Sequence, residues 1–412
     1  MLENSSNISP SEKPADERPT FVAPSNVLSC DDAPDGIRYD FNYGLRVSFP
    51  SLKDSINEYR CVFYDMDSGM LLYSMDVPRG SLVESVKKYF VRYRLEIYEK
   101  DKLDRPVFTH DFDLKGKTVL LQFPYGAVGD TIAWFSYARR FQKKHNCNLV
   151  VSMEPRMAEL FKPTHPEIRF IVQEDVKDLR PYATYNLGLW FNGDTSFQPY
   201  DFREVGLHRT VGYILGLDDE IDDEPPQVLL SAPRRIKEKY VCIATQASSQ
   251  CKYWNNPSGW REVIIYLKSL GYRVLCMDLN QEYGFGFVIN RIPWGCDDFT
   301  GQLPLQERVN IIKDADLFIG LSSGLSWLAW CCKVPIVMIS GFTDPVNEFK
   351  CHRVINTHVC HGCWHDVTKQ YDHHDFLWCP HADDKKKFEC TMSITSQMVI
   401  RKIDEALGVK HE

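Results

Sequence analysis

Four stretches of the 412-residue chain hold residue types that can do chemistry together. The first is Phe123-Pro124-Tyr125-Gly126-Ala127-Val128-Gly129-Asp130-Thr131, fed by the apolar run Thr118 to Phe123 and followed by an amphipathic stretch to about His145. A glycine-bearing loop between a buried strand and a helix lets backbone approach a ligand and offers it unpaired N–H groups. Tyr125, Gly126 and Gly129 would line that loop. Asp130, at the helix start, has two readings: a cap that meets the helix dipole, or a base that takes a proton. No Lys-Ser/Thr follows the glycines, so this is not a Walker loop.

The second stretch, Thr245-Gln246-Ala247-Ser248-Ser249-Gln250-Cys251-Lys252-Tyr253-Trp254, is a polar loop that ends in one cation beside aromatics. Lys252 can neutralise a leaving diphosphate or be a plain surface lysine. The third, Gly320 to Trp330, sets Ser322, Ser323, Gly324 and Leu325 between a buried strand and an apolar helix. Hydroxyls, free N–H groups and the helix dipole converge there, which suits a diphosphate. Thr245, Ser248 and Asp278 complete the expected donor-side set. The fourth is Cys360-His361-Gly362-Cys363 with Cys379 and Cys390, a C-x2-C-x15-C-x10-C spacing that suits zinc or iron. Six histidines between His358 and His381 could replace one thiol. Cys331, Cys332 and Cys351 read as structural thiols.

These loops need strands and helices to hold them. Residues 1–30 are rich in Ser, Pro, Asn and Glu and read as a disordered tail. Residues 31–116 carry short apolar and aromatic runs, with Asp67-Ser68-Gly69 as a hairpin loop and a short helix near residues 82–90. This predicts a small β-rich module. From Lys117 the pattern alternates strand and helix. An acidic, proline-containing break at Asp218 to Pro226 divides residues 117–225 from 226–412. Ser258 is the expected cap of a helix after the strand Tyr240 to Thr245. Two such domains place a cleft at the carboxyl ends of their strands. Asp65-Met66-Asp67 and Asp111-Phe112-Asp113 resemble cation-holding pairs, but both precede the α/β part and read as turn and linker.

Composition narrows the class. Hydrophobic residues make up 44% and the formal charge is -8, which argues against broad nucleic-acid binding. The apolar stretch 317–332 is short of a membrane span and is broken by Ser322, Ser323 and Gly324. No export signal is recognisable, so a cytoplasmic protein is expected. Fourteen cysteines then point to free thiols and a metal site.

Taken in order, the Val-Gly-Asp loop, the Lys-aromatic-Trp loop, Ser258-Gly259-Trp260-Arg261 and Ser322 to Ser326 resemble the lipopolysaccharide heptosyltransferases over about residues 117–345. With the β-rich front and the four cysteines added, the chain is similar to the bacterial autotransporter heptosyltransferases over most of residues 36–400. That resemblance implies an α/β protein of the GT-B type, two Rossmann-like domains facing a cleft behind the β-rich module. The first, 117–225, is the acceptor side and the second, 226–412, the donor side with a metal segment at 351–392. It implies an ADP-glycero-manno-heptose donor, serine acceptors on an autotransporter adhesin passenger and inversion at the anomeric carbon. It also implies one iron per chain on Cys360, Cys363, Cys379 and Cys390, and a ring-shaped homo-oligomer, a dodecamer, built through the front module. Asp130 matches the family's catalytic aspartate, Lys252 its donor-phosphate lysine, and Ser323, Gly324 and Leu325 its diphosphate loop. Ser322-Ser323-Gly324 stands where the lipopolysaccharide branch has Asp-Thr-Gly, and Trp327 where it commonly has His.

The expectation is therefore an inverting protein O-heptosyltransferase with no divalent cation at the donor phosphates. Its metal is expected to be structural and outside the sugar cleft. The rivals are a lipopolysaccharide-core heptosyltransferase and a non-catalytic nucleotide-binding scaffold stabilised by its metal.

Overall fold

The computed structural model describes residues 21–51, 58–191, 194–220, 223–382 and 385–409. Its larger sheet has seven strands in the order Arg169–Ile171, Asn148–Ser152, Thr118–Gln122, Ala183–Asn186, Arg38–Asn42, Arg46–Ser48 and Leu82–Glu84. The first five are parallel, and the last two join antiparallel. Thr118–Gln122 lies near the centre with Val119, Leu120 and Leu121 fully buried, as an apolar run without alternation requires. The helix Val128–His145 covers one face through Ile132, Phe135, Tyr137 and Phe141.

The expected boundary at residue 116 is too late for this sheet. Phe41 pairs with Ala183 and Asn42 with Thr184, so strands from the front module complete the first Rossmann-like sheet. A buried ion pair between Arg46 and Asp40, at 2.7 Å, fixes that joint. What remains separate is a four-stranded antiparallel sheet, Leu71–Val77, Tyr59–Asp65, Tyr93–Glu99 and Phe108–Asp111. Its hairpin turns at Asp65 to Gly69: Asp65 accepts from Asp67 N at 3.0 Å, and Gly69 takes φ +69°. The helix expected at residues 82–90 is absent; Leu82–Glu84 is a strand of the larger sheet.

The tail expectation also changes. From Phe21 the chain is docked on the sheet: Gln122 accepts from Val22 N at 3.1 Å and donates to Val22 O at 3.0 Å. Val22 packs beside Leu120, Val150, Ile171 and Val176 on the face away from the long helix. Residues 1–20 of the expected tail lie outside the described residues.

The second domain has a six-stranded parallel sheet, Asp297–Asp298, Arg273–Cys276, Tyr240–Ile243, Leu317–Leu321, Ile336–Ile339 and His352–Val354. Gly259–Ser269 and Ser396–Leu407 pack on one face through Val263, Ile264, Leu267, Val399 and Ile403. Ser258 occupies the expected cap position without a side-chain cap bond, its hydroxyl turned to Asn256 Oδ1 at 3.4 Å. A hairpin, Glu282–Phe285 with Val288–Arg291, projects from this domain and exposes Phe285, Phe287 and Ile289. Among the described residues no helix is long and apolar enough to cross a membrane.

Candidate active site

The site loops all leave the carboxyl ends of parallel strands. On the second domain, the loop after Tyr240–Ile243 is held from below by Asp278. That carboxylate accepts from Thr245 N at 3.0 and 2.9 Å, Thr245 Oγ1 at 2.7 Å, Gln246 N at 3.1 Å and the Cys276 thiol at 3.2 Å. Burial raises its pKa, and these donors pull it back. At 1% exposure it faces its own loop. Asp278 and Thr245, expected as donor-binding, are thus spent on each other and shape the loop instead. Sequence could place the carboxylate after a strand but not its direction.

Further along, Lys252 donates to Ser248 Oγ at 3.3 Å and lies over the rings of Phe342 (5.5 Å) and Tyr371 (6.0 Å). Two aromatic faces hold the ammonium near the cleft by cation–π attraction. Neither ring was in the expected set. Phe342 follows an apolar strand and Tyr371 lies in a loop with no periodic signal.

Across from it stands Asp130, in the first turn of Val128–His145. Its carboxylate is half-buried and accepts no hydrogen bond among the described residues, so the capping alternative gains no support. Burial pushes its pKa from 3.8 up to about 6, and the nearby Lys252 charge opposes that rise. A carboxylate held near working pH, with its oxygens free, is suited to proton abstraction. The preceding loop is fixed at two points. Tyr125 Oη accepts from Gln173 N at 2.8 Å, and Glu154 accepts from Gly126 N at 3.1 Å. Gly126 takes φ +80°, a backbone conformation glycine favours.

The two domains meet at helix starts. A Cβ on Gly129 would stand 3.1 Å from Trp327 Cδ1 and 3.3 Å from Gly324 Cα. Trp327 continues inward against His208, Trp330 and Phe349. It is a packing wedge under both helix starts. Ser323 caps the helix Gly324–Cys331 by position, with no side-chain bond to it. Leu325 is half-buried beside it. Ser322 donates to Glu348, a buried carboxylate that sequence reasoning missed.

The cysteine segment departs most from expectation. It was expected outside the cleft, yet Phe376 O accepts from Gln250 N at 2.8 Å and from Ser249 Oγ at 3.1 Å. With Tyr371 under Lys252, the segment forms one wall of the lysine loop. His373 follows, its pKa lowered to about 4 by burial and then by the Lys252 charge. On the other side His365 Nδ1 donates to Arg203 O at 2.6 Å, and Trp364 packs on Phe202 at 5.3 Å. The segment therefore touches both domains.

Among the described residues no group of three or more His, Cys, Asp or Glu is arranged to hold a metal ion. The donor chemistry nonetheless fits a soft metal. Cys360, Cys363, Cys379 and Cys390 are all free thiols. Burial raises the Cys363 thiol, and the neighbouring thiols of Cys251, Cys390, Cys379 and Cys360 raise it further. Cys379 Sγ accepts a backbone N–H from Phe388 at 3.5 Å, and backbone N–H groups also reach Cys360 and Cys390. Clustered sulfurs met by backbone donors are what a thiolate–metal loop requires. Cys251, from the Lys252 loop, lies buried beside this cluster.

Comparison with known proteins agrees with this geometry. Residues 33–101 match the family model for the N-terminal domain of glycosyltransferase TibC, and residues 217–373 match glycosyltransferase family 9 (heptosyltransferase). The chain is 50% identical to autotransporter heptosyltransferase TibC of Escherichia coli O78:H11 over 92% of its own length and 91% of that protein. It is 37% identical to the inactive autotransporter heptosyltransferase BimC of Burkholderia thailandensis, over 91% of this chain and 87% of that one. The solved structure of dodecameric, iron-containing TibC with ADP-D-beta-D-heptose superposes with a TM-score of 0.89 at 48% identity, covering 94% of this chain and 99% of that one. E. coli heptosyltransferase II shares the fold, at 14% identity and a TM-score of 0.50 over 70% of this chain and 98% of that one. With two Rossmann-like domains of the GT-B type behind a β-rich front, the chain belongs to the autotransporter heptosyltransferases, glycosyltransferases that transfer heptose.

Proposed function

We propose that the protein moves heptose from ADP-glycero-manno-heptose to serine hydroxyls of an autotransporter adhesin passenger, with inversion. The observation that carries this reading is the free, half-buried Asp130 carboxylate beside Lys252 where the two domains meet. A serine hydroxyl is a poor nucleophile, and Asp130 would accept its proton as the new C–O bond forms. Lys252 would meet the charge that builds on the departing ADP, already oriented by Phe342 and Tyr371. Ser248, Ser323, Gly324 and Leu325 would complete the donor side, with no divalent cation at the phosphates. Tyr125, Gly126 and Gly129 would border the acceptor.

Cys360, Cys363, Cys379 and Cys390 would hold one iron per chain in a structural role. The bound metal would supply a cross-link to a segment with no helix or strand among its described residues from His358 to Lys387. The iron-containing, dodecameric TibC supports both the metal and a ring-shaped homo-oligomer. Exposed apolar groups support self-association too: Leu71 and Met75 on the edge of the four-stranded sheet, Phe285 and Phe287 on the hairpin. A cytoplasmic location completes the reading.

Because an inactive relative is 37% identical over most of the chain, turnover is the test. Intact-mass measurement of an adhesin passenger co-expressed with the protein should show additions of one heptose unit each. Unmodified adhesin, together with ADP release on a lipopolysaccharide core, would establish the core-glycan reading. No ADP release with either acceptor would establish the scaffold.

A further inference from the structure

The loop leaving Leu317–Leu321 carries two adjacent hydroxyls in unlike circumstances. Ser322 donates its proton to Glu348 Oε1. Glu348 is 2% exposed, and its other polar partners among the described residues also donate: Thr343 Oγ1 at 3.0 Å, Asn347 Nδ2 at 2.8 Å and the Arg353 guanidinium at 2.5 Å. A carboxyl group met by donors, one of them a guanidinium, accepts at each of these contacts. Arg353 is itself fixed by Thr343 O at 2.6 Å, so the acceptor under Ser322 does not wander.

A serine hydroxyl has one proton and two lone pairs. With the proton committed inward, the partly exposed Ser322 presents only an acceptor to the cleft. Ser323 differs. Its hydroxyl makes no bond to its helix and has no partner among the described residues, so it keeps a proton to give. Diphosphate oxygens accept hydrogen bonds and gain nothing from a second acceptor, whereas a sugar hydroxyl can donate.

We propose that Ser322 reads a hydroxyl of the donor heptose, and that buried Glu348 is the positioning residue that sets its polarity. Ser323 and the N–H groups of Gly324–Cys331 are left to the diphosphate. The inference rests on the ADP-heptose reading above and revises the expectation that Ser322 belongs to the diphosphate cradle.

The test is calorimetric affinity of the full chain for ADP-heptose and for ADP, in wild type and in Ser322→Ala. Alanine keeps the loop backbone and removes the hydroxyl, both the acceptor it offers the cleft and the bond it donates to Glu348. The expected result is a loss of about tenfold for ADP-heptose, on the scale of one hydrogen bond, with ADP affinity within about twofold of wild type. Glu348→Gln should give the same selective loss with an unchanged ADP affinity, which general damage to the loop would not. Equal weakening of ADP and ADP-heptose would assign Ser322 to phosphate or ribose and overturn the proposal, as would unchanged affinity for both. A wild-type protein that binds ADP but not ADP-heptose would instead overturn the underlying donor reading. If Glu348→Gln does not fold, the Ser322→Ala comparison still decides.

Discussion

Gly129 and Gly324 face each other across the domain junction, each on the first turn of a helix from a different domain. A Cβ on Gly129 would lie 3.3 Å from Gly324 Cα, and one on Gly324 would lie 3.3 Å from Gly129 N. Neither glycine has positive φ, so backbone freedom is not why they are needed. They let two helix starts touch. That contact sets the gap between Asp130, one residue on, and the loop Ser322 to Leu325.

Gly129→Ala should therefore keep the fold and lose rate. The added methyl meets Trp327 at 3.1 Å and backbone at 3.3 Å, so the helix starts must part by a few tenths of an ångström. Displacements of about 1 Å in a reacting site can cost 10²-fold. The expected loss in kcat is about tenfold, with melting temperature nearly unchanged. Wild-type kcat in Gly129→Ala would mean that the spacing of the helix starts does not govern the reaction.

Asp130→Asn should separate binding from chemistry. The amide keeps size but not basicity, so turnover should fall at least 10²-fold while ADP-heptose affinity stays within about threefold. The base works ionised, so wild-type kcat/KM should fall with a midpoint near pH 6, tenfold per unit below it. Stability should move the other way. A folded-state pKa of about 6 against 3.8 means that the folded protein holds this proton more tightly than the unfolded chain. That stabilisation is complete below about pH 4 and is lost as pH rises through about 6. Asparagine carries no charge to desolvate, so the variant should be more stable than wild type at pH 7, by at most about 3 kcal/mol and by less where solvent screens the half-buried group, and close to it near pH 4. Equal denaturation midpoints at both pH values would show that Asp130 is not desolvated.

The strand, loop and helix alternation was legible because parallel strands buried on both faces leave unbroken apolar runs, as in Thr118 to Phe123 and Leu317 to Leu321. What escaped depends on distant partners. Arg38–Asn42 reads as part of a front module, and only its pairing with Ala183–Asn186 places it in the next domain's sheet. Asp278 reads as a ligand contact because its position after a strand does not reveal that Thr245 and Gln246 claim its oxygens. Tyr371 and Phe376 belong to irregular chain, where periodicity has nothing to report. Glu348 carries no motif at all.

Deleting residues 1–30, which read as a disordered tail, should destabilise the fold, because Val22 is docked on the first sheet. Gln122 is buried and meets Val22 through both its amide atoms, while Tyr43 donates to Val22 O at 2.6 Å. Removing Val22 leaves these groups to be satisfied by water or not at all, and uncovers Leu120 and Val150. A loss of about 2–4 kcal/mol is expected, at 1–3 kcal/mol per buried polar group left unpaired. Chemical denaturation of the truncated chain measures it. A midpoint equal to that of the full chain would mean that the Val22 contact is not stabilising.

The last prediction ties the cysteine segment to the lysine loop. Were the segment only a remote staple, changing one of its cysteines would cost metal and soluble yield and leave the ADP affinity of the surviving protein intact. Its contacts predict otherwise. Phe376 O holds Gln250 N and Ser249 Oγ, the Tyr371 ring lies under the Lys252 ammonium, and Cys251, the residue before Lys252, is buried among the segment's thiols. Loosening residues 360–390 should therefore loosen Lys252. Cys379→Ser should lower metal content and weaken ADP binding by about tenfold. Lys252→Ala should show the same ADP loss with metal content unchanged, since it removes the cation and not the scaffold. Combining the two should add little to the ADP loss of either alone, because one pathway is being cut twice. Cys251→Ser, placed where loop and segment meet, should be milder than either, with metal retained and ADP binding reduced a few-fold. Elemental analysis and ADP titration on the same preparations give both readouts. If Cys379→Ser loses its metal yet binds ADP as wild type does, the segment does not position Lys252 and its contacts with the loop are incidental.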